Sequence, residues 1–268
     1  MFTGGGGIAI DDLTIRGANH AASETNAPYV AEKESQHAFS FQGVNGATLD
    51  HVQVFGVYGD FVYIGVGKDA KTWSNDVRVT NSTFVGSGRQ GISVIAAQNV
   101  VIDHSTVEGV ARSMFDIEPN SARDGALHVR ITHNRTGLAN NFWLASKRNG
   151  NGTIGDITVT NNVADSATGN VMWVAGSGMT SRGPFVIERN LFYVRGTAHD
   201  SGSQGAFYFS RCTDVTVRSN IAEFPAGQNI PAVEIRNSQP VTVEDNVFAN
   251  AGETLLNTGV GATPTTTP

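Results

Sequence analysis

Apolar and polar residues alternate in short runs, and one eight-residue run recurs along the whole chain. It reads ATLDHVQV from Ala47, VRVTNSTF from Val77, VVIDHSTV from Val100 and VRITHNRT from Val129. It continues as ITVTNNVA from Ile157, FVIERNLF from Phe185, VTVRSNIA from Val215 and VTVEDNVF from Val241, and LTIRGANH from Leu13 reads as a degenerate first copy. Each copy predicts a short strand with one buried face, a polar corner and a second short strand. A third strand type follows: AFSFQ, FVYIG, GISVI, MFDIE, NFWLA, VMWVA, AFYFS, AVEIR and TLLNT. Copies lie 23 to 34 residues apart, and self-similarity at that period means a solenoid. The pattern predicts an all-β, right-handed, single-stranded parallel β-helix of about nine coils, with three short strands per coil. At the usual strand spacing that is a rod about 40 Å tall.

The sixth octad position is Asn in five copies, at Asn134, Asn162, Asn190, Asn220 and Asn246. Asn suits a tight corner because it tolerates left-handed backbone angles. Stacked coil on coil, such residues are also expected to form an amide ladder. The octad, its Asn corner and the coil length resemble the right-handed parallel β-helices of the pectate-lyase-like superfamily, over roughly residues 8 to 260. That superfamily holds polysaccharide lyases, hydrolases and epimerases as well as phage tailspikes. The resemblance therefore implies a carbohydrate ligand and an extracellular, virion or cell-surface location, but no particular reaction, because fold does not determine function.

The third strand type carries the candidate chemistry. If its inward pairs are Phe39/Phe41, Val62/Ile64, Ile92/Val94, Phe115/Ile117, Phe142/Leu144, Met172/Val174, Phe207/Phe209 and Val233/Ile235, the residue between each pair points outward. That column reads Ser40, Tyr63, Ser93, Asp116, Trp143, Trp173, Tyr208 and Glu234. Trp143, Trp173 and Tyr208 would form a stacking track for sugar rings, with Tyr63, Gln90, His37, Lys147 and Arg148 as further binding residues. The competing reading is a satellite core covered by loops.

Asp116 and Glu118 would face solvent at the floor of a cleft, about 6–7 Å apart on one strand, with Asp60 two coils below and Arg89 between. A hydrolase would use Asp116 as general acid and Glu118 or Asp60 as base. A lyase would instead have Asp60, Asp116 and Glu118 hold calcium, with Arg89, Lys147, Arg148 or His37 abstracting the proton. A tailspike-like or surface module would bind glycan without cleaving it. The bland alternative pairs Asp116 with Arg89 or Arg112, and Glu118 with a loop Arg, as satisfied charges. Segments 19–36 and 193–204 before this strand, and 119–127, 146–152 and 176–183 after it, are long enough to wall a groove.

Composition narrows the rest. The chain has 268 residues, 40% of them hydrophobic and 16% charged, with 31 glycines, which favours strands and turns. A net charge of -6 argues against a nucleic-acid partner. No apolar run reaches the length of a membrane span. The single cysteine, Cys212, excludes an internal disulfide. The start lacks a signal peptide and the terminal GATPTTTP reads as a linker. The expected organisation is thus a β-helix over 1–260 lacking its native N-terminal cap and a tail over 261–268, with flanking domains or a homotrimer as possible partners. No cofactor is firmly implied; calcium enters only with a lyase. The Gly4–Gly7 run is followed by no Lys and no helix, so it is not a phosphate loop. Asn81 opens an N-x-T sequence, but its corner position gives it a structural reason. His199–Asp200 reads as a solvated turn, and the seven histidines show no zinc spacing.

Overall fold

The computed structural model describes residues 1–69, 71–147, 152–167, 171–175, 182–195, 205–258 and 265–266. Within them the chain forms three parallel sheets of ten, ten and nine strands, visited in strict rotation. This is the right-handed parallel β-helix that the octad predicts. The first half of each octad lies in one ten-stranded sheet (Ala96–Asp103 and Gly125–Thr132, for example) and its second half in the nine-stranded sheet (Thr106–Val110). The third strand type (Ile92–Val94, Phe115–Ile117, Leu144–Lys147, Met172–Ala175) forms the other ten-stranded sheet, called here the site sheet. Thr265–Thr266, in the segment expected to be a tail, pairs with Thr242–Val243.

The first octad copy begins at Ile8, not Leu13, because Ile8 pairs with Ala47 and Ile10 with Leu49. Residues 17–38 are therefore an insertion between the first and second coils, not part of a copy.

The corner also differs from expectation. The left-handed residue is the fifth octad position, not the sixth: Asp12, His51, Asn81, His104, His133, Asn161, Arg189, Ser219 and Asp245 have φ of 49–58°. The sixth-position Asn turns inward instead. Asn162 Nδ2 donates to Asn190 Oδ1 (2.9 Å) and to the Ile131 carbonyl (2.8 Å). Its Oδ1 accepts from Asn134 Nδ2 (3.0 Å) and from the Asn134 backbone N–H (2.9 Å). The pattern repeats from Asn134 to Asn246. Ser105 and Ser82 continue it downward through their hydroxyls. The amide ladder exists because a coil pitch of one strand spacing brings each carboxamide within reach of the next corner's unpaired N–H.

Asn162 is 1% exposed, so Asn162→Ala leaves several buried polar groups without partners. A loss of about 2–4 kcal/mol is expected in urea denaturation. Asn162→Ser, which keeps one acceptor as Ser105 does, should lose clearly less. Equal losses would show that the ladder contributes only volume.

The interior is a continuous column of Phe, Val, Ile and Leu. On the site sheet the expected inward pairs are buried in every coil but one. Leu144 pairs with both Phe115 and Met172, so the inward pair there is Leu144/Ser146 and the outward residue is Ala145. Trp143 falls one step earlier, in line with Met114 and Val171, at the bend entering the strand. That column is apolar and core-facing, with Phe61, Met114 and Val171 all 0% exposed. Trp143 is itself 1% exposed. It meets Phe115 and Phe192 edge-on, at 4.9 and 5.3 Å between centroids. Its Nε1–H donates to Thr136 Oγ1 (2.8 Å).

Candidate functional site

The pairing fixes the outward column of the site sheet as Ser40, Tyr63, Ser93, Asp116, Ala145, Trp173, Tyr208 and Glu234. Seven of these eight positions match the sequence reading; Trp143 is the exception. The aromatics of this face form a stacked ladder that begins at Phe142 instead of Trp143. Phe142, expected in the core, stacks on Trp173 (5.5 Å between centroids, 14° between planes). Trp173 stacks on Tyr208 (6.3 Å, 23°), and the Arg236 guanidinium lies 5.5 Å from the Tyr208 ring centre. Phe142 and Trp173 are half-buried. Tyr208 is 5% exposed and so is largely covered, as the satellite-core reading expected.

On the other side of Asp116 lies a closed charge network. Asp60 is fully buried and does not face a groove. Arg89 Nη1 donates to both its oxygens at 2.8 Å, Ser93 Oγ donates to Oδ2 (2.8 Å), and the Gln90 backbone N–H donates to Oδ1 (3.1 Å). Gln90 Oε1 accepts from the Ser113 N–H (2.7 Å), so it braces the next coil. Asp60 is thus paired, as a buried carboxylate must be, and both its oxygens already accept hydrogen bonds.

The insertion between coils one and two closes this side. Asn19 pins it by donating to the Pro28 and Val57 carbonyls (3.3 and 3.2 Å). From it Tyr29 O–H donates to Glu34 Oε2 (2.8 Å), and Glu34 lies 3.6 Å from Arg89 Nε. Arg112 sits over the Tyr29 ring at 4.0 Å. His37 stacks on Tyr63 (4.8 Å) while its Nδ1 accepts the Asp60 backbone N–H (3.0 Å). That bond defines the acceptor nitrogen of a neutral ring. Burial lowers the His37 pKa, against the pull of Asp60, and so favours the same form.

Asp116 is the residue this network leaves out. It is 2% exposed, not solvent-facing, and its buried Oδ2 has no hydrogen-bond partner among the described residues. Arg89 is committed to Asp60 and Arg112 to the Tyr29 ring, so the bland pairing of Asp116 is not made. Burial, then the charges of Glu118 and Asp60, push the Asp116 pKa well above the usual carboxylate range; Arg89 and Arg112 oppose this from a distance. Both causes favour the protonated acid over the carboxylate. Glu118, just past the strand end, is half-buried. Asp124, on the segment after the strand, is 7% exposed, and its charge is felt at Tyr63.

Calcium does not fit this set of donors. Both Asp60 oxygens are occupied by donors, chiefly a guanidinium, and a cation in the same place would be repelled. Among the described residues the groups with three convergent ligand atoms are Asp103–His104–His133 and Asp11–Asp50–His51, at the octad corners, not Asp60–Asp116–Glu118. Lys147 takes the place expected for Ala145 in the Glu118 column, opposite Ala175. Its side chain, Arg148 and His199–Asp200 lie outside the described residues.

Sequence reasoning missed Tyr29, Glu34 and Phe142. The first two sit in an insertion with no periodicity to read. Phe142 had a signal: position 143 falls in a column of apolar bend residues, so the neighbour of a buried Trp143 had to turn out.

No known family profile matches the chain, and no curated protein matches it. Solved structures do. The Streptococcus pneumoniae surface protein and adhesin PfbA superposes with a TM-score of 0.64 at 13% identity, over 94% of this chain and 68% of that one. A tailspike of E. coli bacteriophage HK620, solved with a pentasaccharide, gives 0.45 at 15% identity, over 85% of this chain and 52% of that one. At these identities the likeness to PfbA shows the fold. Among the described residues no helix is long and apolar enough to cross a membrane.

Proposed function

We infer that the protein is a glycan-processing β-helix of a cell or particle surface, and that it hydrolyses a glycosidic bond with Asp116 as general acid. The observation that carries this reading is the buried Asp116 carboxyl beside Glu118, whose Oδ2 has no hydrogen-bond partner among the described residues. Folding alone gives no reason to bury an acid without a hydrogen bond, whereas an acid catalyst needs a raised pKa and a free proton. Asp116 would protonate the leaving oxygen. Glu118, two residues on, stands about 6–7 Å away by strand geometry, at the lower edge of the inverting range, and would activate water. Phe142 and Trp173 lie one and two coils further along in a stacked ladder with Tyr208, and a glycan would lie against the outer side of that ladder, since the Trp173 faces are taken by its neighbours.

An adhesin-like module that binds glycan without cutting it is the second reading, because the aromatic ladder would suffice for it. A panel of neutral and uronate-containing polysaccharides separates the two, with products read by size and ultraviolet absorbance. Saturated fragments are expected. Unsaturated, absorbing fragments would replace hydrolysis by elimination. Binding with no cleavage of any glycan would leave the module reading.

A further inference from the structure

We propose that Asp103, His104 and His133 form a first-row divalent metal site, of the kind that takes zinc, which staples two adjacent coils at the corner between the octad sheets. The left-handed fifth position turns the imidazoles of His104 (φ 49°) and His133 (φ 53°) outward from the corner. The pairing of Asp103 with Thr132 puts the two residues in successive coils of one column. Their rings stack at 4.7 Å and 15°. Between them stands the Asp103 carboxylate, with Oδ2 2.8 Å from His104 Nδ1 and Oδ1 3.3 Å from His133 Nδ1. All three ligand atoms lie within 4.8 Å of one another.

The two carboxylate–imidazole separations are close to those of a coordination sphere, and the imidazoles, now face to face, must turn on their side-chain bonds for both lone pairs to point at one ion. Ligands about 2.0–2.2 Å from one ion, at tetrahedral to octahedral angles, stand roughly 2.9–3.4 Å apart. A metal replaces the two Nδ1 protons that otherwise bond the carboxylate. His133 Nδ1 also lies 2.9 Å from Thr132 Oγ1, a contact it would give up. Two imidazoles and one carboxylate select zinc, nickel or copper over calcium or magnesium. The side chains are 27–57% exposed, so the rings have room to turn and water completes the sphere. Other corners lack this set. Asp11–Asp50–His51 supplies only one imidazole, 2.8 and 3.7 Å from its two carboxylates, and the remaining fifth positions are Asp, Asn, Arg and Ser.

The ligands come from successive coils, and each coil is held only by its neighbours. The metal should therefore raise thermal stability and leave the site sheet unaffected. Tag-free protein is titrated with zinc sulfate by calorimetry and melted with and without zinc. The expected result is one saturable site and a Tm rise of several degrees at a hundredfold excess over Kd. His133→Gln and Asp103→Asn should weaken binding at least tenfold and remove the rise. His128→Gln, an exposed histidine paired with Asp156, should change neither. No saturable binding, or equal loss in His128→Gln, overturns the site. Binding without a Tm rise overturns the staple.

Discussion

Asp116→Asn is expected to lower glycan turnover by at least about 10²-fold, the usual contribution of a general acid, with glycan affinity kept within a few-fold. Asn matches the protonated acid in shape and cannot deliver a proton. The same substitution should make the fold less sensitive to pH. Burial raises the Asp116 pKa above its unfolded value, so between the two the native state binds the extra proton. Stability is then full below the unfolded pKa and is lost as pH rises through the folded one. Wild type should therefore show a Tm that declines as pH rises from the unfolded pKa to the raised one and stays low above it. Asp116→Asn should lack this decline and melt higher there. Turnover in wild type should fall over the same rise in pH, as the acid loses its proton. Unchanged turnover in the mutant would remove Asp116 from the chemistry. A Tm decline identical in both proteins would mean that the carboxyl is not the group losing its proton.

The repeat was legible because β-branched octads carry their register in plain alternation, and coils stacked on that register brought Asp116, Ser93 and Tyr63 into one column as expected. Two things were not legible. Alternation tells which side of a sheet a residue takes, not what covers it. The burial of Asp60 goes with a side-chain network through Arg89 that the aperiodic insertion extends with Glu34 and Tyr29. The corners were also under-determined. Asn at position six suggested a left-handed residue, but the backbone put that strain at position five, on His, Asp, Asn, Arg and Ser alike, and spent the Asn on the ladder. Histidines 29 residues apart in sequence gave no metal spacing, yet one coil brings His104 and His133 into contact.

The two neighbouring tryptophans should separate stability from binding. Trp143→Ala removes a fully buried ring wedged between Phe115 and Phe192 and leaves the Thr136 hydroxyl, in a 0% exposed residue, without its donor. A loss of about 3–5 kcal/mol is expected, as for large-to-small changes in tight cores. Glycan affinity at a temperature where the variant is still folded should barely change. Trp173→Ala removes a half-buried ring stacked between Phe142 and Tyr208. The outer part of that stack has solvent rather than core around it, so the stability loss should be about 1 kcal/mol. Glycan affinity should fall by about tenfold if a glycan lies against the outer side of that stack. Urea denaturation and glycan titration of both variants give four numbers. The opposite pattern, Trp143→Ala stable but defective in binding, would restore the simple alternation in which Trp143 faces the groove. A Trp173→Ala variant that binds as wild type would make the ladder a satellite core. The groove's recognition would then rest on the acidic residues around Asp116.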